Sequence, residues 1–285
     1  MTRIVVLSDI HLSPTHGFFW ENWRIARDFA NQQKPEAVIV NGDLCINGPD
    51  SDAEMEFAAR ALHGLTCPVL ALPGNHDIGD EPPGQDPEQL VTPERLARWK
   101  RFLGTDRWTI EADDWRLIGV NAQLFGSGLV EETEQSEWLD EEIGAAHERP
   151  IALFLHKPLF AESPADQEES AVCLTPAARA GLLHKLRAAG VRLVVSGHLH
   201  QSLDRTIDGI RYYWLPAVAF AAPALRGGSE AADCALTIFE FSGSGLEIRI
   251  ERPAGLVSHD LRAIKGHGKY AFLRDMPPCP PPAEV

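Results

Sequence analysis

Five short motifs carry the side chains of this sequence that are best suited to bind metal ions. They supply carboxylates, imidazoles and one amide, without a thiolate, at Asp9-Ile10-His11, Gly42-Asp43, Gly74-Asn75-His76-Asp77, His156 and Gly197-His198-Leu199-His200. Two adjacent divalent cations in a hydrolytic site require nitrogen and oxygen donors of this kind. The absence of cysteine from the set excludes a structural zinc site built on thiolates. The motifs therefore predict a two-metal hydrolytic centre.

The spacing within the motifs lets neighbouring donors converge. Asp9 and His11 alternate around one residue, so in an extended segment their side chains leave the chain on the same side, and the same holds for His198 and His200. A carboxylate can bridge two cations roughly 3.5–4 Å apart, which makes Asp43 the natural bridge. The amide oxygen of Asn75 is a neutral donor suited to the same site.

Apolar runs precede the motifs and indicate the elements that position them. Residues 4–7 and 193–195, for example, read as buried parallel strands that end directly before a motif. Strands alternate with segments of helical spacing, which predicts right-handed crossovers and a parallel sheet whose carboxyl edge holds the site. Helices are predicted over residues 18–33, 52–65, 93–103, 131–143 and 176–189.

Other segments are predicted to be loops, hairpins or a tail. Residues 80–93 are rich in proline, glycine and acid, which favours an exposed loop, and the acidic residues 162–170 favour a rim or lid. Turn residues at 208–209 and 243–245 predict two hairpins and a largely antiparallel C-terminal third. We expect a domain over residues 1–250 and a C-terminal extension over residues 251–285 that ends in a proline-rich tail.

Composition limits the classes of substrate and partner. The 285 residues are 44% hydrophobic, enough for a substantial core, and the formal net charge is −15. A surface this acidic repels polyphosphate backbones, so nucleic acid is not an expected partner. Two bound cations would still make the pocket locally positive, so a small phosphorylated substrate is compatible with the overall charge.

Cysteine usage and hydropathy bear on location. The five cysteines are odd in number and lack Cys-x-x-Cys spacing, which favours reduced thiols in the cytoplasm. The N-terminal residues enter a strand directly, so no secretory signal is expected. No apolar run reaches the roughly 18 residues of a membrane span.

With all five motifs in order across residues 9–200, the sequence resembles the calcineurin-like metallophosphoesterases. The resemblance implies a mixed α/β fold, a four-layer α/β/β/α sandwich of two mixed sheets flanked by helices, with metals at the loops that follow the strand carboxyl ends. It implies two divalent or trivalent ions, Mn, Fe, Zn or Co. The implied ligands are Asp9, His11, Asp43 and His200 for the first metal, and Asp43, Asn75, His156 and His198 for the second.

The resemblance also implies catalytic roles outside the ligand set. The counterpart of His76 in the family is not a ligand but reaches the phosphoryl oxygens or the leaving group. A neighbouring carboxylate orients it, a role that Asp77 can fill.

The implied reaction is hydrolysis of a phosphate ester by a metal-bridging hydroxide. Phosphoprotein phosphatases of the superfamily continue with Asp-Arg-Gly after the second motif and end the third with Glu. Here Ile46-Asn47-Gly48 and Asp77 stand at those places, so protein phosphatase activity is not expected. The sequence is more similar to the bacterial class III cyclic-nucleotide phosphodiesterase and glycerophosphodiesterase branch, which favours small phosphodiesters, including 3′,5′-cyclic nucleotides.

Several alternatives stay open at this point. They are a phosphomonoesterase or broad-specificity phosphatase, a glycerophosphodiester or lipid-headgroup hydrolase, and a non-catalytic metal-binding scaffold. The aromatic cluster of residues 18–23 either stacks a substrate base or forms one face of a core helix. Candidate rim residues for the substrate are His16, Trp20 and Asn47. By analogy with the family, a homodimer is possible through sheet edges or C-terminal elements.

Overall fold

The computed structural model describes residues 1–84, 86–222, 233–260 and 277–282. Its helices are α1 (Trp20–Gln33), α2 (Asp52–Leu62), α3 (Asn75–Ile78), α4 (Pro93–Leu103), α5 (Val130–Ala145) and α6 (Pro176–Ala188), with short 3₁₀ turns at Pro87–Gln89 and Ala122–Leu124. The strands are β1 (Thr2–Leu7), β2 (Ala37–Asn41), β3 (Val69–Leu72), β4 (Trp108–Ala112), β5 (Trp115–Gly119), β6 (Ile151–Phe154), β7 (Leu193–Ser196), β8 (Leu203–Ile207), β9 (Ile210–Trp214), β10 (Phe220–Ala221), β11 (Leu236–Ser242), β12 (Gly245–Glu251) and β13 (His259–Asp260).

Most of these strands form two mixed sheets. The five-stranded sheet has the order β12-β11-β1-β2-β3, in which β1, β2 and β3 are parallel and β11 runs antiparallel to β1. The six-stranded sheet has the order β4-β5-β6-β7-β9-β8, with β5, β6, β7 and β9 parallel and antiparallel strands at both edges. Strands β10 and β13 form a separate short parallel pair.

The sheets pack face to face and helices cover their outer faces. Along β1, Ile4 and Val6 lie in the core between the sheets, whereas Val5 and Leu7 pack with residues of α1, α2 and α4. On the other side, α5 and α6 pack on the six-stranded sheet. Strands buried on both faces explain the continuous apolar runs. The predicted four-layer α/β/β/α sandwich is confirmed.

Local signals set the helix starts and the hairpin turns. Ser51 and Thr175 cap α2 and α6 by accepting hydrogen bonds from backbone amides inside the helix. Helices α1 and α2 are shorter than predicted, beginning at residue 20 and ending at residue 62. Both hairpins form, and Asp208 and Gly209 adopt the positive φ of 50° and 81° that a tight β-turn needs.

Two regions depart from or extend the sequence predictions. The loop predicted to be exposed over residues 80–93 begins with two buried acids, Asp80 and Glu81, because a buried lysine pairs with both. In the C-terminal extension, Cys279 pairs in parallel with His16 through hydrogen bonds to residues 15 and 17. Residues 261–276 and 283–285 of the extension lie outside the described residues, and the domain boundary at residue 250 stays a prediction. None of the described helices is long and apolar enough to cross a membrane.

Candidate metal centre

The five motifs meet where strands of both sheets end. Strands β1, β2 and β3 of the five-stranded sheet lead to Asp9, Asp43 and Asn75, and strands β6 and β7 of the six-stranded sheet lead to His156 and the 198–200 segment. Six of the seven predicted ligands are buried, and His198 is half-buried. Since neither sheet supplies all the donors, the centre depends on how the two sheets pack.

One donor cluster joins Asp9, His11 and His200, whose donor atoms lie within 4.8 Å of one another. His200 Nε2 is 3.1 Å from Asp9 Oδ1 and 3.3 Å from His11 Nε2, so the three side chains point at one position. With Asp43, these are the residues that the family resemblance implies for the first metal.

A second cluster joins Asp43, His156 and His198 within the same limit. Asp43 Oδ2 lies 3.2 Å from His156 Nε2 and 3.8 Å from His11 Nε2, and thus between the two clusters. Asn75 Oδ1 is buried and accepts no hydrogen bond from the described residues. Because a buried amide oxygen without a partner is unusual, this atom fits a position that binds a cation. The donor set as a whole suits divalent ions.

Backbone strain coincides with the donors. Left-handed φ values of 45–68° occur at non-glycine positions Asp9, His11, Asp43, His198 and His200. Such conformations cost free energy and cluster at functional sites. Gly42, with φ of 90°, precedes Asp43, and a Cβ there would come within 2.2 Å of the His156 ring. Only glycine allows both that conformation and that approach.

Backbone carbonyls orient two of the imidazoles. His156 Nδ1 donates to the Asn41 carbonyl over 2.8 Å, and His200 Nδ1 donates to the Phe220 carbonyl over 2.8 Å. These bonds fix the tautomer in which Nε2 is left to bind a metal. Ser8 Oγ donates to Asp9 Oδ2 over 2.5 Å and orients that carboxylate.

Aspartate and histidine side chains in the centre shift the pKa values of one another. Burial alone would raise the pKa of Asp9 and Asp43, but the nearby His200 and His156 outweigh it, and both pKa values lie below the usual range. Burial likewise opposes the charge on His156, yet Asp43 raises its pKa to about 10, and Asp9 raises the pKa of His200. The carboxylates therefore favour positive charge at this position, which is the electrostatic setting that a bound cation would need.

The other two histidines of the clusters have the opposite shift. Burial and the neighbouring His76 lower the pKa of His11 well below its usual value. Burial, His156 and Lys157 do the same for His198. Both rings are therefore neutral at physiological pH, as a metal ligand must be.

His76 lies beside the clusters on the first residues of α3. Its backbone N–H donates to Asp43 Oδ1 over 2.9 Å, and its ring stands edge-on to His11 with centroids 4.6 Å apart. His76 Nδ1 donates to the Ile46 carbonyl over 2.7 Å, which fixes the ring. A third donor group, His11, Asp43 and His76, also meets the distance limit, so geometry by itself does not separate His76 from the ligands.

Asp77 holds the loops together, which differs from the orienting role expected of it. Its buried carboxylate accepts hydrogen bonds from the backbone N–H groups of Gly74 (2.8 Å), Leu44 (3.0 Å) and Cys45 (2.9 Å). As the third residue of α3, it reaches back to the start of its own helix. Burial and the nearby Asp43 raise its pKa to about 7. The partner on His76 Nδ1 is instead the carbonyl of Ile46.

The predicted rim residues have other partners. Trp20 is 7% exposed and lies in the core, with its ring 5.6 Å from Phe57 of α2, so it does not form the expected subsite. His16 is buried and its Nδ1 lies 2.9 Å from Thr15 Oγ1. Asn47 accepts a hydrogen bond of 2.8 Å from Gln89 and joins two loops. Contact of His16 and Asn47 with a substrate stays a prediction.

The aromatic side chain packed on the donors is Phe220, which the sequence analysis missed. Its ring centroid lies 4.1 Å from that of His200 and 5.0 Å from that of His11. On its other side, the ring is 5.2 Å from Phe19. No motif or spacing rule points to residue 220, because its contacts depend on how distant segments pack.

Comparisons with known proteins find relatives among phosphatases and phosphodiesterases. Serine/threonine-protein phosphatase CPPED1 of Danio rerio is 29% identical over 190 residues, covering 63% of this chain but 58% of that protein, so less than two thirds of the relative is matched. The 3′,5′-cyclic adenosine monophosphate phosphodiesterase CpdA of Escherichia coli K12 is 26% identical over 237 residues, 75% of each chain. A crystal structure of a dimetal phosphatase from Danio rerio has the same fold, with a TM-score of 0.62, 14% identity and coverage of 87% of this chain and 95% of that one.

The family model for calcineurin-like phosphoesterases matches residues 2–202, which include every candidate ligand. The match extends from β1 to the end of the fifth motif and covers more than half of the sequence. The chain belongs to the calcineurin-like phosphoesterase family.

Proposed function

We propose that this chain is a two-metal phosphoesterase that hydrolyses small phosphodiesters, with 3′,5′-cyclic nucleotides as leading candidates. The position of Asp43 carries the proposal, since its Oδ2 lies within 4 Å of a histidine of each cluster. A carboxylate placed in this way is suited to bridge two cations. The first ion would be held by Asp9, His11, Asp43 and His200, and the second by Asp43, Asn75, His156 and His198.

The residues of the chain prepare the centre for phosphoryl chemistry. When bound, two cations would activate water as the nucleophile and neutralise the phosphoryl oxygens. The low pKa values of Asp9 and Asp43 keep both carboxylates ionised. His76, fixed by the Ile46 carbonyl beside Asp43, is suited to hold a phosphoryl oxygen or to give a proton to the leaving group.

Similarity and charge support a small diester as the substrate. CpdA, matched over 75% of both chains, is named as a cyclic adenosine monophosphate phosphodiesterase. The net charge of −15 disfavours nucleic acid. Asn47 and Asp77 also depart from the phosphoprotein phosphatase pattern.

A monoester phosphatase, acting on phosphoproteins or on small substrates, is the second candidate. It is favoured by the CPPED1 relative, which is named as a serine/threonine-protein phosphatase and is 29% identical over the matched 190 residues. This similarity weighs against the expectation, drawn from Asn47 and Asp77, that protein phosphatase activity is absent.

A kinetic comparison tests the two candidates. The Mn²⁺-loaded protein is assayed with cyclic AMP, a glycerophosphodiester, an aryl phosphate diester, an aryl phosphate monoester and a phosphoserine peptide. If the proposal is right, kcat/KM is highest for a diester. The chelator-treated protein serves as the control. A preference of several orders of magnitude for a monoester or for the peptide would reject the diester in favour of the second candidate.

Metal identity, cellular location and assembly are part of the same proposal. Nitrogen and oxygen donors accept Mn, Fe, Zn or Co, so metal analysis of protein purified without chelators is needed to identify the ions. All five cysteines lie in the described residues and carry free thiols, which supports a reducing compartment such as the cytoplasm. Light scattering on the purified chain tests the proposed dimer.

A further inference from the structure

A buried ionic cluster lies next to the second donor cluster. Lys157 is 0% exposed, and its two partners, Asp80 and Glu81, are 1% and 2% exposed. Lys157 Nζ lies 2.5 Å from Asp80 Oδ1 and 2.8 Å from each carboxylate oxygen of Glu81. Charges this deeply buried are rare and costly unless they are paired. Their presence at the centre therefore calls for a role.

The cluster joins the two chain segments that carry His156 and Asn75. Lys157 directly follows His156 at the end of β6 in the six-stranded sheet. Asp80 and Glu81 follow α3, which begins with Asn75 at the end of β3 in the five-stranded sheet. The three side chains thus connect loops from different sheets at the position where both deliver a donor.

The acidic side of the cluster is itself held firmly. Asp80 N–H donates to the Gln89 carbonyl over 2.8 Å, and Val91 N–H donates to the Asp80 carbonyl over 2.7 Å. Gly79, which joins α3 to Asp80, has φ of 89°, and a Cβ there would lie 2.5 Å from the Gln89 oxygen. The link from Asn75 to Asp80 is therefore short and tightly packed. A shift of Lys157 is resisted by the segment that carries Asn75.

Charge gives the cluster a second effect on the centre. An unpaired ammonium one residue from His156 would oppose a cation bound by that histidine. The carboxyl groups of Asp80 and Glu81 balance the positive charge of Lys157, so the cluster as a whole does not repel a metal ion. Geometry and charge point to the same metal position.

We propose that Lys157, Asp80 and Glu81 form an ionic lock that positions His156 against Asn75 and thereby sets the affinity of the second metal position. The inference rests on the proposed two-metal function and assigns a positioning role, not a catalytic one. The first metal position, formed around Asp9, His11 and His200, is not joined by the lock and is expected to be independent of it.

Mn²⁺ titration of the metal-depleted full chain, followed by electron paramagnetic resonance, tests the lock. The wild type is expected to bind two equivalents and to show the signal of a spin-coupled pair. K157M is expected to lose about 10–100-fold in affinity for one equivalent, with loss of the coupled signal, since changes to groups that orient metal ligands have effects of this size. E81Q keeps the Lys157–Asp80 pair and is expected to show a smaller loss in the same equivalent.

A matched control removes a lysine–carboxylate pair elsewhere. Lys185 Nζ lies 2.6 Å from Asp140 across α6 and α5, and K185M is expected to bind both equivalents like the wild type. Circular dichroism establishes that each variant is folded, and E81Q decides the matter if K157M does not fold. Unchanged Mn²⁺ binding in the folded lock variants would overturn the inference and leave the proposed function standing. Equal weakening of both Mn²⁺ equivalents would have the same meaning. A wild type that binds fewer than two equivalents would overturn the proposed function and the lock with it.

Discussion

The two halves of the candidate metal centre are supported by different kinds of contact. Around Asp9, His11 and His200, the support is apolar, with the Phe220 ring 4.1 Å from His200 and 5.0 Å from His11. Around His156 and Asn75, the support is ionic, because the residue after His156 is a buried lysine bonded to two buried carboxylates. Both halves share Asp43 and use a backbone carbonyl to orient a histidine.

Apolar and ionic support predict different responses of the two halves to substitution. An apolar contact depends on shape, so a residue of similar volume can replace it at modest cost. A buried ion pair depends on partners, and removal of one partner leaves a charge that nothing neutralises. Substitutions can therefore damage one half and spare the other, and measurement of metal affinity can resolve the two.

Removal of the candidate ligand that both halves share, Asp43, is expected to have the largest effect, because it affects both halves together. In D43N, a neutral amide replaces the carboxylate that lies between the clusters. We expect both metal equivalents to be lost and hydrolysis to fall to the level of the blank, as measured by metal analysis and an aryl phosphate assay. The control D140N changes an exposed aspartate of α5. Retention of either equivalent at wild-type affinity would contradict a bridging role for Asp43.

Substitution of His76 shows whether this residue belongs to either half. The geometry places it in a possible donor group with His11 and Asp43, whereas the family resemblance gives it a catalytic role. If the role is catalytic, H76A is expected to lower kcat by roughly 10²–10⁴-fold while the metal content stays unchanged. H63A, at the exposed end of α2, is the matched control. Loss of one metal in H76A would make His76 a ligand instead.

The candidate ligands were predictable because each is marked by local sequence. Asp9 and His156 directly follow apolar strands, and the carboxyl ends of parallel strands share an edge. The glycine before Asp43 is a further local signal. Asp9 and His11 lie close together, but both have left-handed backbone and not the extended conformation that their alternation predicted. The four-layer fold follows from the same runs, because strands buried on both faces need a cover on each side.

The supports were not predictable, since they depend on pairs far apart in sequence. Asp80 and Glu81 lie in a segment whose composition favours an exposed loop, and their burial depends on Lys157, 77 residues away from Asp80. The aromatic spacing around Trp20 is equally compatible with a core helix face and with a substrate subsite. In the structure, Trp20 packs against Phe57 and belongs to the core. The ring of Phe220 is likewise placed by tertiary contacts alone.

Truncation of Phe220 is expected to weaken the apolar half only. F220A keeps the carbonyl that accepts from His200 but removes the ring, and we expect a stability loss of roughly 3 kcal/mol. Affinity for the first metal equivalent is expected to fall about 10-fold, the lower end for groups that orient a ligand. F220L, which retains most of the volume, is the control for shape. Urea unfolding measures the loss of stability and Mn²⁺ titration measures the loss of affinity. A loss of affinity confined to the second equivalent would contradict the assignment of Phe220 to the first metal position.

The smallest expected effect is a change in stability with pH that comes from the carboxyl group of Glu81 in the ionic half. Burial raises the pKa of this carboxyl to about 7, although Lys157 opposes the rise. An acid whose pKa is higher in the folded state than in the unfolded state contributes stability below the unfolded value, here the usual 4.5. That contribution is lost as the pH rises through about 7. The wild type should therefore lose stability relative to E81Q between these limits, by at most about 1.4 kcal/mol per pH unit. Chemical unfolding of the wild type and E81Q at about pH 5, 6 and 7 measures the difference in stability. A difference that stays constant over this range would show that Glu81 does not titrate in this window.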